Sequence, residues 1–174
     1  MSLKQLLAGG VLLAIVALPI TDAASAAPRS ADLAERHSVS DDDARLRELL
    51  GWGLDLYAAA GLDLPGIDLV AYSDRIACSD RPGALHWHGS RAELRLCVAA
   101  DSPVAGWTLL HELGHAWDHA SLTDERRNTL LELRGLPAWR QGPWSERGAE
   151  HAAEILVWGL IDRPVKPGHI QQNS

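Results

Sequence analysis

Apolar residues recur every three or four positions in four stretches of the chain, and this period predicts four amphipathic helices. Short polar residues that favour helix N-caps precede each stretch, and acidic residues at 41–43 suit the positive end of a helix dipole. The predicted boundary residues are Ser40 and Gly61 for the first helix, Ser102 and Pro103 at the start of the second, Thr123 and Gly135 for the third, and Ser145 and Pro164 for the fourth.

Between the first and second predicted helices, the period of apolar residues changes to two. Apolar side chains alternate along residues 67–72 and again along 92–98, as they do in strands with one buried face. The segment ALHWHG at 84–89 lies between these stretches, and Pro82-Gly83 and His88-Gly89 are turn signals. The pattern predicts a small, mostly antiparallel sheet, so the expected fold class is α+β.

The N-terminal end has the order of a secretory signal peptide: Lys4, an apolar run at 6–20, and small residues up to Ala26. A transmembrane anchor is the alternative, but glycines and a proline interrupt the run, which is short for a span of about 20 residues. We therefore expect a secreted, extracytoplasmic protein. The predicted organisation is a signal peptide at 1–26, a flexible lead-in at 27–39, one domain at 40–163 and a loose tail at 164–174.

The charge of the chain argues against nucleic acid as a partner. The formal net charge is -7, and no run of Lys or Arg is present to bind a phosphate backbone. After cleavage of the signal peptide, no membrane contact is expected either. The composition is mixed and rich in apolar residues, which is typical of a folded domain.

The two cysteines, Cys78 and Cys97, predict one disulfide because two cysteines in an exported protein usually pair. In the loop-entropy account, such a bridge stabilises the fold by about 3 kcal/mol. The alternative is a catalytic Cys/His pair, since His86 and His88 lie nearby in the sequence.

The motif HELGH at 111–115 predicts a metal site. Residues four apart on a helix share a face, so His111 and His115 can bind one ion, and neutral imidazole suits zinc. Glu112 lies beside the first ligand, where its carboxylate can accept a proton from a water molecule that the metal activates. Apolar flanking residues place the motif on a buried helix, where two histidines and a glutamate need a partner such as a metal.

A catalytic zinc site needs a third protein ligand. His119 lies one turn beyond His115, but three successive turns of one straight helix converge poorly on a point. Glu150 is the predicted ligand, because small residues around it allow close approach of another helix. Glu154, one turn later, is expected to bind the free ring nitrogen of His111. The other candidates for the third ligand are Glu154 itself, Glu146 and His151.

The pair of motifs, His111-Glu112-x-x-His115 and Glu150-x-x-x-Glu154, resembles that of the gluzincin metallopeptidases. This resemblance implies a minimal zincin-like domain in which a small sheet packs on an active-site helix and on a C-terminal ligand helix, over residues 67–162. In thermolysin-like members the second glutamate binds the first histidine, although the spacer between the motifs is longer here. The Glu-x-x-x-Glu form is similar to the lethal-factor group. The chain also resembles small exported bacterial proteins with an H-E-L-G-H-A-W-D core and a Trp-rich connector.

We therefore expect a secreted metallopeptidase with one Zn2+ per chain, a peptide or protein substrate, and Glu112 as general base. Residues 93–98 are the expected strand for pairing with an extended peptide. An amidase that acts on cell-wall peptide is a close variant. The alternative is a non-catalytic, zinc-stabilised binding module with a peptidase-like fold.

Two features of the sequence leave the site incomplete. Gluzincins usually place a Tyr or His to stabilise the oxyanion, yet Tyr57 and Tyr72 are both far from the second motif. The candidate substitutes are His151, Arg147, Arg140 and His169. The connector between the metal-binding helices contains Trp139 and Trp144, which either line a substrate cleft or close the core.

Overall fold

A computed structural model describes residues 37–39 and 43–161. The fold is α+β, with four helices and one four-stranded sheet in the described residues. The elements are β1 (His37–Val39), α1 (Ala44–Ala59), β2 (Gly66–Ala71), β3 (Gly83–His88), β4 (Arg91–Leu96), α2 (Ala105–Ser121), α3 (Asp124–Arg134) and α4 (Gly148–Ile161). The predicted signal peptide and C-terminal tail lie outside the described residues. No helix within 43–161 has both the length and the apolar character that a membrane span requires.

The sheet is mixed, with the strand order β1-β2-β4-β3. β2 pairs in parallel with β1 and with β4, and only β3 is antiparallel to its neighbour β4. The prediction of a mostly antiparallel sheet is therefore wrong. A tight turn containing Gly89 joins β3 to its antiparallel neighbour β4. The parallel strands β2 and β4 are instead joined by a longer crossover connection, which includes β3. Alternation of apolar side chains predicts a strand without fixing the direction of its partners.

The first strand corrects the predicted lead-in. Residues 27–39 show no strand-like period, yet the last three of them, His37–Val39, pair with Ile67 to Leu69 of β2. The edge of β2 that faces away from β4 can form backbone hydrogen bonds with any extended segment that lies beside it. The formation of β1 therefore depends on this tertiary partner and not on a local sequence pattern.

One face of the sheet forms the core. Its side chains are fully buried against α1 and α2, while the opposite face has ion pairs between Arg91 and Asp68 and between Arg95 and Glu93. The buried sheet residues are Ile67, Leu69, Ala92, Leu94 and Leu96. The alternating pattern of the sequence thus predicts which faces are buried.

The helix boundaries agree only in part with the predicted ones. Thr123 caps α3 by accepting a hydrogen bond from Arg126 N, and Gly135 ends the helix at φ +62°, as predicted. The other three predicted N-caps differ: Asp43 caps α1, Val104 occupies the N-cap position of α2, and Ser145 lies in a short 3-10 turn before α4. Ser40 is outside the described residues.

Cys78 and Cys97 form the predicted disulfide. The bridge joins a short 3-10 turn at Ile76–Cys78, which precedes β3, to the residue that follows β4. Because both cysteines are bonded, neither is available as the nucleophile of a Cys/His pair. The disulfide instead constrains the loop that leads into β3.

Gly114 of the HELGH motif allows α2 and α4 to cross at close range. A Cβ at this position would lie 3.0 Å from Ala153 Cα and 3.3 Å from the hydroxyl of Tyr57. That hydroxyl donates a buried hydrogen bond of 2.9 Å to Leu110 O. The small residues of both helices therefore bring their polar side chains within reach of one another.

We predict that Gly114→Val lowers the free energy of unfolding by about 1 to 3 kcal/mol, because the added side chain meets the backbone of α4. Gly51→Val in α1 is the matched control, since a Cβ there has no heavy atom within 4 Å. The control should stay within about 0.5 kcal/mol of the wild type. Equal effects of the two substitutions in denaturant unfolding would contradict the close crossing.

Candidate metal centre

α2 presents His111 and His115 one turn apart on the side that faces α4. The two imidazole rings are 4.7 Å apart and perpendicular, so their Nε2 atoms point toward a shared position. His111 is only 9% exposed. The helical spacing in the sequence correctly predicts this juxtaposition.

α4 supplies the third member of the centre from its first turn. Glu150 Oε2 lies 3.1 Å from His111 Nε2 and 3.2 Å from His115 Nε2. All three atoms lie within 4.8 Å of one another, and within the described residues no other group of three His, Cys, Asp or Glu side chains converges in this way. The three residues predicted as ligands can therefore hold a metal ion together.

Glu154 occupies the place that the sequence predicts for it. Its Oε1 atom lies 3.1 Å from Nδ1 of His111, although the alignment of the two groups falls short of a hydrogen bond. Nδ1 is buried, and within the described residues Glu154 is the carboxylate that faces it, as Glu150 faces Nε2.

The other ligand candidates point elsewhere. His119 stacks on Trp87 with a ring separation of 4.0 Å, and Glu146 lies exposed in the 3-10 turn. Both ring nitrogens of His151 are occupied, because Nδ1 accepts from Arg134 Nε and Nε2 donates to Ser145 O. His151 therefore serves as a structural residue, not as a ligand or an oxyanion partner.

Glu112 is buried beside the two histidines and lines a pocket that opens over them. Burial raises the pKa of its carboxyl group above the usual range, and the nearby His115 and His111 partly offset this increase. Space for the carboxylate comes from Gly83 at the start of β3. A Cβ there would lie 2.6 Å from Thr108 Cγ2 and 3.0 Å from Glu112 Oε1. From the sequence, Gly83 is recognisable only as a turn signal.

A pocket of about 650 Å3 opens over the centre. β3 forms one wall, from Gly83 to Trp87, and the residues that precede α4 form another. Trp144 lies in this second wall with its ring nearly parallel to His111, at 6.2 Å between centroids. Trp144 thus lines the cleft, one of the two roles considered for the tryptophans of the connector.

Trp139 does not line the pocket but attaches the connector to α2 and α4. Its Nε1 donates to Oδ2 of Asp118, a fully buried carboxylate that also accepts from Arg127 Nε. The ring lies against Gly148, where a Cβ would come within 2.6 Å of it. Nothing in the local sequence pattern identifies Asp118 as this attachment point, since its partners are 9 and 21 residues away.

The attachment of Trp139 closes a loop at its base. Gly148 N donates to Ala138 O, and Ala149 N donates to Trp139 O. The intervening segment 140–146 includes two residues that line the pocket, Arg140 and Trp144. Its two ends are thereby fixed to the helices that hold the metal centre.

The structure places some of the predicted oxyanion and peptide-binding residues in the pocket and others outside it. Arg140 and Arg147 line the pocket, Tyr57 and Tyr72 do not, and His169 lies outside the described residues. The predicted peptide-binding strand, residues 93–98, is wrong because β4 lies between β2 and β3. The strand at the edge beside the pocket is β3, whose position depends on the crossover connection.

The histidines and glutamates of the centre shift one another's pKa values. Burial alone lowers the pKa of His111, but its contacts with Glu150 and Glu154 outweigh this effect and raise the pKa to about 10. Burial alone raises the pKa of Glu150, but the two histidines outweigh it and hold the pKa well below its usual range. A metal ion binding here therefore competes with a proton on His111.

In protein stripped of metal, we predict that thermal stability is greatest between about pH 4.5 and 6.5 and falls toward pH 10. The His111 contribution is complete below its ordinary pKa of 6.5 and is lost as pH rises to the folded value of about 10. The Glu150 contribution is lost as pH falls below its ordinary 4.5. The midpoint should drop by at least about 3 °C on the alkaline side.

His111→Ala should abolish most of this alkaline decline, whereas the control His119→Ala should retain it. Thermal unfolding at a series of pH values in the presence of a chelator measures both. An alkaline decline of the same size in His111→Ala would assign it to other groups.

The fold and the centre define an α+β domain with a candidate metal site between two crossing helices. Comparison with protein families, curated protein sequences and solved structures finds no match for this chain.

Proposed function

We propose that this protein is an exported zinc-dependent metallopeptidase with a zincin-like domain that resembles the gluzincins. The observation that supports the proposal is the convergence of His111 Nε2, His115 Nε2 and Glu150 Oε2 beside the carboxylate of Glu112 in an open pocket. Two imidazoles and one carboxylate are a donor set of catalytic zinc sites, and three protein ligands leave one position of a tetrahedral ion open.

Each residue of the centre has a role in this proposal. Zinc, when bound, supplies Lewis acidity that polarises a carbonyl group and acidifies water. Glu154, whose Oε1 lies 3.1 Å from His111 Nδ1, would orient this ring so that Nε2 is available to the metal. Glu112 accepts a proton from the attacking water and delivers it to the amine that leaves. The raised pKa of Glu112 suits this shuttle, because a group that both accepts and donates works best near the operating pH.

The edge strand β3 supports a peptide as the substrate. Within the described residues, β3 pairs only with β4, and its residues Gly83 to Trp87 line the pocket. An extended peptide can add to such an edge by main-chain hydrogen bonds, which would place a peptide bond near the centre. Cell-wall peptide is a substrate of the same chemical class.

The second candidate is a non-catalytic, zinc-stabilised binding module. It is favoured by one observation: no tyrosine lines the pocket and both ring nitrogens of His151 are hydrogen-bonded. Within the described residues, His86 on β3 is then the one histidine of the pocket lining outside the metal centre. Glu112 favours the enzyme, because a structural zinc site has no use for a buried carboxylate beside its ligands. Arginine side chains in the pocket are available to stabilise an oxyanion.

The proposal predicts about one zinc ion per chain in the loaded protein. His111→Ala or His115→Ala should remove most of the metal, because two ligands hold zinc poorly, and His119→Ala should retain it. Hydrolysis of a mixed peptide library should stop on chelation and return when zinc is restored. Elemental analysis that finds no transition metal in loaded protein would refute the metal site, and hydrolysis that persists after complete chelation would refute the mechanism.

A further inference from the structure

The pocket has an excess of positive charge outside the metal centre. Its lining includes Arg81, Arg140 and Arg147, and within the described residues its only acidic members are the three glutamates of the centre. The chain as a whole has a formal net charge of -7. Outside the centre, the charged residues of the lining are therefore all cationic although the chain is acidic, and such a surface favours anionic ligands.

The three arginines differ in how far their charges are neutralised. Arg140 lies 3.6 Å from Asp118, whose carboxylate already pairs with Arg127 at 3.0 Å. Arg147 donates from Nε to a neutral acceptor, the carbonyl of Gly142. Within residues 43–161, neither Arg81 nor Arg147 has a carboxylate within ion-pair distance. Their remaining N–H groups are donors available to a ligand.

The backbones that present Arg81 and Arg147 are fixed. Arg81 N donates to Cys78 O, next to the disulfide, and Arg81 lies two residues before the edge strand β3. The backbone of Arg147 forms an isolated β-bridge with Ala138, and Arg147 lies three residues before the proposed ligand Glu150. Arg81 and Arg147 thus both line the pocket over the centre, and they come from the segments that lead into β3 and into α4.

We propose that this pocket binds a carboxylate of the substrate through Arg81 and Arg147, so that the preferred peptides have a carboxylate next to the bond that is cut. This inference rests on the proposed function, since it takes the metal centre as the place of cleavage. Guanidinium and carboxylate form paired, charge-assisted hydrogen bonds, which select a carboxylate over the amide of the same shape. The carboxylate can belong to an acidic side chain or to the C-terminus of the peptide.

Matched peptides test the proposal. One pair has Glu or Gln next to the scissile bond, and a second pair has a free or an amidated C-terminus. For the wild type, kcat/KM should favour the carboxylate form of one pair by about 10-fold, and high salt should reduce this preference. The pair that shows the preference identifies the source of the carboxylate.

Substitution of the arginines then locates the carboxylate site. Arg81→Gln and Arg147→Gln should each reduce the preference at least about threefold, while Arg126→Gln, on the exposed side of α3, should leave it unchanged. Each preference compares two substrates on one enzyme, so a general loss of activity cancels. A wild-type ratio near one for both pairs, or a ratio that neither variant changes, would overturn the inference.

A binding measurement separates this inference from the proposed function. If the zinc-loaded wild type cuts no peptide, the peptidase proposal fails, and titration calorimetry with the same pairs still tests the carboxylate site. Tighter binding of the carboxylate form by about 10-fold, lost in Arg81→Gln or Arg147→Gln, would support the site. Equal binding of both forms would overturn it.

Discussion

Glu112→Gln should reduce peptide hydrolysis by at least about 100-fold while leaving one zinc ion bound. Glutamine has nearly the same size as glutamate, so it fits the space that Gly83 provides, but it cannot accept a proton. Glu112 does not belong to the converging group of His111, His115 and Glu150, so the metal content should not change. Activity on a peptide library, elemental analysis and thermal unfolding of the same preparations measure the three quantities.

Glu132→Gln in α3 is the control for this substitution, because it removes an exposed carboxylate outside the pocket. It should keep full activity. If the wild type cuts peptides and Glu112→Gln cuts them equally well, Glu112 is not the base. If neither protein cuts any peptide under zinc-loaded conditions, the binding module becomes the better account.

Glu150→Gln should weaken zinc binding more than any other single glutamate substitution in the centre. It removes the anionic ligand and leaves two histidines to hold the ion. Glu154→Gln should lower affinity about 10- to 100-fold, because it removes only the carboxylate that orients His111. Competition with a calibrated zinc chelator measures both affinities.

Glu146→Gln is the matched control, since Glu146 is exposed in the adjacent 3-10 turn and lies outside the converging group. Its affinity for zinc should equal that of the wild type. If Glu154→Gln loses the metal and Glu150→Gln keeps it, the ligand assignment is wrong by one helical turn.

The sequence predicts the grouping of His111, His115 and Glu150 well because its spacing rules are local. His111 and His115 are one turn apart on any α-helix, and Glu150 and Glu154 repeat that spacing on another. The small residues around Glu150 indicate that the two helices cross closely, and Gly114 opposite Ala153 is the structural counterpart of that signal. Local periodicity therefore places the ligands on their elements.

The features that the sequence does not predict depend on contacts between distant residues. The direction of β2 relative to β4, and hence the edge position of β3, follows from a crossover that alternation does not encode. Gly83 matters because α2 passes directly over it, and Asp118 because its partners come from α3 and the connector. In each case the local pattern is compatible with several partners.

The closed base of segment 140–146 has a consequence for how this site can change. Because hydrogen bonds around Trp139 and Gly148 hold both ends of the segment, we expect changes of side chain at its tip to leave His111, His115 and Glu150 in place. The backbone carbonyls of Gly142 and Ser145, which accept from Arg147 and His151, belong to what must be kept. Evolution, or a protein engineer, can thus alter the residues at Arg140 and Trp144 to suit new ligands while His111, His115 and Glu150 stay unchanged. The buried carboxylate of Asp118 is the fixed point that such exchanges must preserve.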